Sequence, residues 1–311
     1  MFRTFIWQLL FIFSLLNYSI FQHVHPSTQQ WDYQRHGPDT WPHLFDTCEG
    51  EFQSPIDIRI PNLIYDPHLH PLSFNGYTTN SSLHQWNFTH NGKTIIAYPP
   101  PLANFSISGA DLPEIFYLIQ FQFHWGYNVY QGSEHTFNGF KYPLEVQFIH
   151  RGRFSNALAI VSILFELRQH DNPYIDNLLS ILNQTVDTSI SIEHQLDISR
   201  LFPTDSSPRF YLYNGSLTIP PCTEDVTWII LARKIPISAN QLEIFTQNSI
   251  PSNFRHTQKL YSRKVLANFQ PELHESFYTE EDTSIHHSFA HMKKISKVFL
   301  LLILITFWMI K

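Results

Sequence analysis

The run Tyr117-Leu118-Ile119-Gln120-Phe121-Gln122-Phe123-His124-Trp125-Gly126 sets three polar side chains two residues apart in an otherwise apolar stretch. Residues alternate sides along a strand, so Gln120, Gln122 and His124 share one face while Phe121, Phe123 and Trp125 share the other. The polar triplet therefore points into one cavity. A second run, Leu144-Glu145-Val146-Gln147-Phe148-Ile149-His150, puts Glu145 and Gln147 at the same spacing. Catalytic zinc is held by three strong protein donors and keeps a fourth position open for water. Here one imidazole stands among amides, and an amide oxygen is a neutral, hard ligand, weaker towards zinc than imidazole. One imidazole with amides does not make such a donor set by itself.

The elements that must position these residues read as β structure. Short β-rich runs cover Ile95 to Tyr98, Phe116 to His124, Leu144 to His150, Ala159 to Glu166, Phe210 to Tyr213 and Thr227 to Ala232, separated by Gly, Pro, Asn and Asp. Two segments read as helix. One starts at Asn172-Pro173, a cap residue followed by proline, and runs to about Asn183; the other starts at Ser238 and ends near Gln247. The expected fold is mainly β with peripheral helices, built on a large, mostly antiparallel sheet.

The chain has 311 residues, 43% of them hydrophobic and 15% charged, enough to bury one large core. With a formal charge of −6 and no long basic run, it lacks the electrostatic footprint of a nucleic-acid binder. Arg3 and the apolar stretch from Phe5 to about Phe21 predict a secretory signal peptide ending near residue 25, without a clean small-residue cleavage site. Only Cys48 and Cys222 are present. In an oxidising compartment they can close one long loop; two buried thiols are the alternative. Sequons at Asn80, Asn87, Asn104, Asn183 and Asn214 agree with a secretory route.

Residues 271–297 read as a polar spacer, followed by an apolar tail over 298–311. That tail is shorter than the roughly 20 residues of a spanning helix. Lys293, Lys294 and Lys297 precede it, against the positive-inside tendency for a type I span. A lipid-anchor signal, with Asp282-Thr283-Ser284 or Ser288 as the attachment site, is the expected reading; a short tilted span is the alternative. The histidine pairs His23/His25, His68/His70 and His286/His287 are weak metal candidates, since paired exposed histidines are common in solvated loops.

From about Trp31 to Gln270 the chain resembles the α-class carbonic anhydrases. The motifs are Gly37-Pro38-Asp39-Thr40-Trp41-Pro42, Gln53-Ser54-Pro55-Ile56-Asp57-Ile58, Gln131-Gly132-Ser133-Glu134-His135-Thr136, Tyr213 through Cys222, and Val226-Thr227-Trp228, all in the family's order. The resemblance implies a domain over 31–270 with a twisted, chiefly antiparallel sheet and a cleft reaching the metal. It also implies a Cys48–Cys222 disulfide.

On the same basis the three zinc ligands fall on Gln122, His124 and Gln147, so two of three imidazoles are replaced. If a zinc site is worth roughly 10–16 kcal/mol, losing two strong donors removes on the order of half of that. No zinc or other cofactor is expected unless an altered metal site works. The family's proton-shuttle histidine falls on Lys93, and an ordinary lysine, with a pKa of about 10.4, relays protons poorly near neutrality. Ile219 stands where a second threonine is usual. The walls of the CO2 pocket fall on Ile149, Ile160, Leu217, Val226 and Trp228, bulky enough to narrow the cleft.

Several family positions are kept. Thr218 matches the hydroxyl that orients zinc-bound hydroxide, and Glu134 the carboxylate that accepts its hydrogen bond. Gln120 and Glu145 match the groups that hold the ligand imidazoles. With the metal gone, Gln120, Gln122, Gln147, Glu145 and Thr218 are expected to form a buried polar network. The resemblance is strongest to the catalytically inactive carbonic-anhydrase-related proteins and to ectodomains of certain receptor tyrosine phosphatases. It implies a secreted or surface-attached pseudoenzyme that recognises an extracellular protein or glycan. An active carbonate dehydratase with an altered metal site, and a matrix protein whose surface matters more than its cleft, are the other readings.

Overall fold

The computed structural model describes residues 30–77, 84–185, 192–203, 207–246 and 252–271. The leader over 1–25, Asn80, the spacer beyond Pro271, the tail over 298–311 and the pairs His23/His25 and His286/His287 lie outside the described residues.

Six strands frame the region of interest: β1 (Ile95–Tyr98), β2 (Phe116–Trp125), β3 (Leu144–Gly152), β4 (Leu158–Arg168), β5 (Phe210–Ser216) and β6 (Glu224–Leu231). They lie side by side in the order β1-β2-β3-β4-β6-β5 within one large mixed sheet. The pairings are antiparallel except for β4 with β6, and β4 also pairs in parallel with Ile235–Ser238 at its far end. β4, Leu-Ala-Ile-Val-Ser-Ile-Leu-Phe-Glu-Leu-Arg, is an almost unbroken apolar run because it is central and covered on both faces. The expectation of a mainly β, mostly antiparallel architecture holds.

β2, β3, β4 and β5 extend one to three residues past their expected ends, where cross-strand partners continue the ladder; β1 has its expected range, and β6 begins three residues early and ends one residue early. Two more, His84–His90 and Ile192–Leu196, pair antiparallel at the sheet edge and were not anticipated from the sequence. Histidine, asparagine and glutamine mask the alternation in the first, although Trp86 and Phe88 are fully buried on its inner face.

One sheet face carries the main core. Phe121, Phe123 and Trp125 of β2 pack there with Val146 and Phe148 of β3 and with Ala159, Val161, Ile163 and Phe165 of β4. Helix α1 (Asp176–Thr185) adds Leu178, Leu179, Ile181 and Leu182, and α2 (Ala239–Thr246) adds Leu242 and Phe245. α1 begins later than expected. The Asn172 side chain accepts from the Tyr174 amide and its carbonyl from the Ile175 amide, forming a turn that delays the helix to Asp176. α2 begins as expected. Ser238 Oγ accepts from the Gln241 amide while Gln241 Oε1 accepts from the Ser238 amide, a reciprocal cap. Among the described residues no helix is long and apolar enough to cross a membrane.

His150 of β3 projects into the aromatic side of the core, where its Nε2 lies 2.6 Å from the Tyr77 hydroxyl. Burial pushes this imidazole down to about 3 from its ordinary 6.5. The unfolded chain therefore binds a proton near pH 6.5 that the folded chain refuses until about pH 3, so stability falls with acidification across that window. Burial opposes ionisation of Glu145, yet the His135 imidazole beside it holds its carboxyl well below the usual carboxylate range; its contribution is lost only below pH 4.5. Between pH 6.5 and 4.5, His150 is expected to cost up to about 1.4 kcal/mol of unfolding free energy per pH unit. Urea titrations of the wild type and His150→Gln across this range should give a flatter pH dependence for the variant. Parallel curves would remove His150 from the acid response.

Candidate metal centre

β2 and β3 run antiparallel with Gln122 directly opposite Gln147, His124 opposite Glu145 and Gln120 opposite Ile149. The three positions expected to meet at a metal are thus neighbours on one sheet face, opposite the aromatic core face. Gln122, His124 and Gln147 are all buried, and Gln120 is half-buried.

His124 is held from both sides. Its Nδ1 lies 2.8 Å from the Asn253 carbonyl oxygen and 3.5 Å from Glu134 Oε1. A carbonyl only accepts, so Nδ1 carries the hydrogen. On the other side Nε2 lies 3.2 Å from Gln122 Nε2. An amide nitrogen only donates, so the imidazole lone pair that would face a metal accepts a hydrogen bond from the Gln122 N–H instead. Gln120 Nε2 reaches Gln122 Oε1 only at 3.5 Å, a marginal tie.

Gln147 has a different task. Its single amide group donates to Glu134 Oε2 at 2.8 Å and to Glu145 Oε1 at 3.0 Å. Both carboxylates are fully buried. Glu145 also accepts from the backbone amides of Glu134 and His135, from His135 Nδ1 and from Ser162 Oγ. Glu134 Oε1 accepts from the Arg255 backbone amide at 2.9 Å. Among the described residues Gln147 and Arg255 donate to Glu134, while Thr218, buried in the turn after β5, does not. Thr218 accordingly stands outside the polar network that joins the other positions.

The expected wall residues lie in rows beside this network. Ile149, Ile160 and Trp228 sit opposite one another across β3, β4 and β6, and Val226 pairs with Leu158 two residues along on the same face. All four are buried, whereas Leu217 and Ile219 are partly exposed. Lys93 lies in the turn before β1 with its ammonium 4.7 Å from the centre of the Trp31 ring. His68 and His70 stay on an exposed loop, where His70 pairs with Asp111. The disulfide joins Cys48 to Cys222, four residues beyond Thr218.

Asn253 and Arg255 were missed by sequence reasoning. Asn253 binds His124 through its carbonyl, and its side chain bonds the Trp125 amide and the carbonyls of Phe123 and Lys93. The Arg255 guanidinium reaches Gln53, Ser54 and the Cys48 carbonyl. Every one of these partners is more than a hundred residues away in sequence, so no local pattern marks them.

Residues 36–269 match the eukaryotic-type carbonic anhydrase family. The chain belongs to the α-class carbonic anhydrase family. It is 32% identical over 255 residues to carbonic anhydrase 6 of Mus musculus, covering 75% of this chain and 78% of that protein. It is 33% identical over 263 residues to mitochondrial carbonic anhydrase 5B of Rattus norvegicus, at the same coverages. Human carbonic anhydrase 3 is 30% identical over 270 residues, 78% of this chain and 99% of that protein. The family reaction is reversible CO2 hydration by a lyase. The 5B relative is named as mitochondrial; the disulfide in this chain is compatible with an oxidising, secretory compartment.

The donor set does not fit a three-imidazole zinc centre. One imidazole is present and its lone pair faces an amide N–H, while the Gln147 amide nitrogen faces two carboxylates. Among the described residues no three His, Cys, Asp or Glu side chains are grouped to hold a metal. Removing the shared amide should leave two buried carboxylates short of a donor. Gln147→Leu is expected to lose about 2–4 kcal/mol of unfolding free energy, read by urea denaturation. A loss under about 0.5 kcal/mol, the level of an ordinary surface change, would show that the bridge does not stabilise the fold.

Proposed function

We propose that this protein is an extracellular carbonic-anhydrase-like pseudoenzyme, attached to the cell surface through its C-terminal tail and serving recognition of an extracellular protein or glycan. The observation that carries the reading is the reversed polarity at the metal position. N–H groups of Gln122 and Gln147 point where a zinc ion needs lone pairs. Without a metal there is nothing to generate hydroxide at neutral pH. Lys93, engaged with Trp31, is also a poor substitute for an imidazole proton shuttle. The extracellular placement draws on the apolar leader and the Cys48–Cys222 disulfide; surface attachment draws on the apolar end of the sequence.

Metal analysis of the purified protein, with CO2 hydration measured in parallel, tests the reading directly. Substoichiometric zinc and no hydration above buffer are expected. Stoichiometric zinc with sulfonamide-sensitive hydration would overturn the proposal in favour of an active enzyme with an altered centre, a reading to which the retained Glu134, Glu145 and Thr218 lend support.

The double variant Gln122→His, Gln147→His replaces both N–H groups with imidazole donors. It is expected to bind zinc and to gain measurable hydration, limited by proton transfer at Lys93. Failure to take up zinc would show that the cleft has diverged beyond its two ligand positions.

A further inference from the structure

We propose that Asn104, Asn183 and Asn214 carry N-linked glycans and that Asn87 does not, a pattern of modification that rests on the secretory reading above. All four belong to Asn-x-Ser/Thr triplets. The triplet is read on the extended chain, but the folded protein must leave the sugar in water, so each asparagine has to end on the surface.

Three of them do. Asn104 is exposed in the loop leading into Ser106–Ser108, and its backbone carbonyl accepts from Asn75 Nδ2, a contact that leaves the Asn104 amide available. Asn183 lies on the solvent side of α1. Its neighbours Leu182 and Thr185 turn inward, and Thr185 Oγ1 bonds back to the Ile181 carbonyl, so the hydroxyl of this triplet is buried while its asparagine is not. Asn214 is the exposed residue between buried Tyr213 and Gly215 on β5; its carbonyl is fixed by Arg263 and its side chain faces out.

Asn87 differs. It sits mid-strand in His84–His90, half-buried, with Tyr98 directly opposite on one side and Glu193 on the other. A branched sugar on this side chain has to pass between two cross-strand neighbours with Cβ atoms about 5 Å away. Asn214 has one cross-strand neighbour, Thr227, and is exposed, whereas Asn87 is flanked on both sides and half-buried, so the crowding disfavours a folded, glycosylated species at Asn87.

The donor is a lipid-pyrophosphate-linked oligosaccharide. The asparagine Nδ2 attacks the anomeric carbon, the new C–N bond forms, the C–O bond to pyrophosphate breaks, and the lipid pyrophosphate leaves with the electron pair. The amide nitrogen loses one proton in the process.

The full chain with its own N-terminus, expressed in a eukaryotic secretory host, is digested with a peptide-N-glycosidase in 18O water and mapped by mass spectrometry. Expected are 18O-aspartate at positions 104, 183 and 214 and unmodified Asn87. Asn104→Gln, Asn183→Gln and Asn214→Gln should each remove one gel mobility step, and Asn87→Gln none. Non-reducing peptide mapping of the same sample reports the Cys48–Cys222 bond and so separates two failures. A disulfide-bonded protein lacking the three glycans, or carrying one at Asn87, overturns the glycan assignment. A protein with free thiols and no glycan overturns the secretory reading and the assignment with it.

Discussion

Two fully buried carboxylates, Glu134 and Glu145, share one primary amide, and the surrounding structure depends on that arrangement. A buried carboxylate is tolerated only when its lone pairs are met by donors. Gln147 has two amide hydrogens on one nitrogen and delivers one to each side. An imidazole bound to a metal through one nitrogen has a single N–H left to give. Glutamine at this position thus supplies one donor more than the residue it replaces, and the extra one goes to Glu134.

From Glu145 the network continues without interruption. His135 bonds Glu145 through Nδ1 and the Tyr213 hydroxyl through Nε2; Tyr213 meets Ser54, and Ser54 exchanges hydrogen bonds with Ser216. Tyr213 and Trp228 stack nearly parallel beside it, and the His135 ring meets Trp228 edge-on. Satisfied networks of this kind fix side chains in one arrangement, because a half-broken network costs more than an apolar core. The site is therefore preorganised, although its donor set does not fit a three-imidazole metal centre.

Much of the fold was legible because β1 to β6 are rich in apolar and β-branched residues between turn residues, and the sharing of a face by Gln122 and His124 follows from strand geometry alone. Their meeting with Gln147 needed the family resemblance, since register between strands is set by pairing rather than by local sequence. Strand His84–His90 was illegible because its outward residues are poor strand formers. The start of α1 was misplaced because Asn172 uses its side chain in a turn. Thr218 was matched to Glu134 through the family resemblance; among the described residues Glu134 accepts from the Gln147 amide and the Arg255 backbone. Asn253 and Arg255 act through contacts distant in sequence, which neither periodicity nor capping rules report.

The bond between Cys48 and Cys222 spans 174 residues. It encloses β1 to β5 and α1 within one covalent ring, while β6, α2 and the Asn253–Arg255 segment lie outside. A protease that cuts an exposed turn inside the ring, such as the one carrying Phe154, opens the circle without releasing a fragment. The nicked molecule gains only the mass of one water and keeps both halves joined through the disulfide, and the two pieces separate only on reduction.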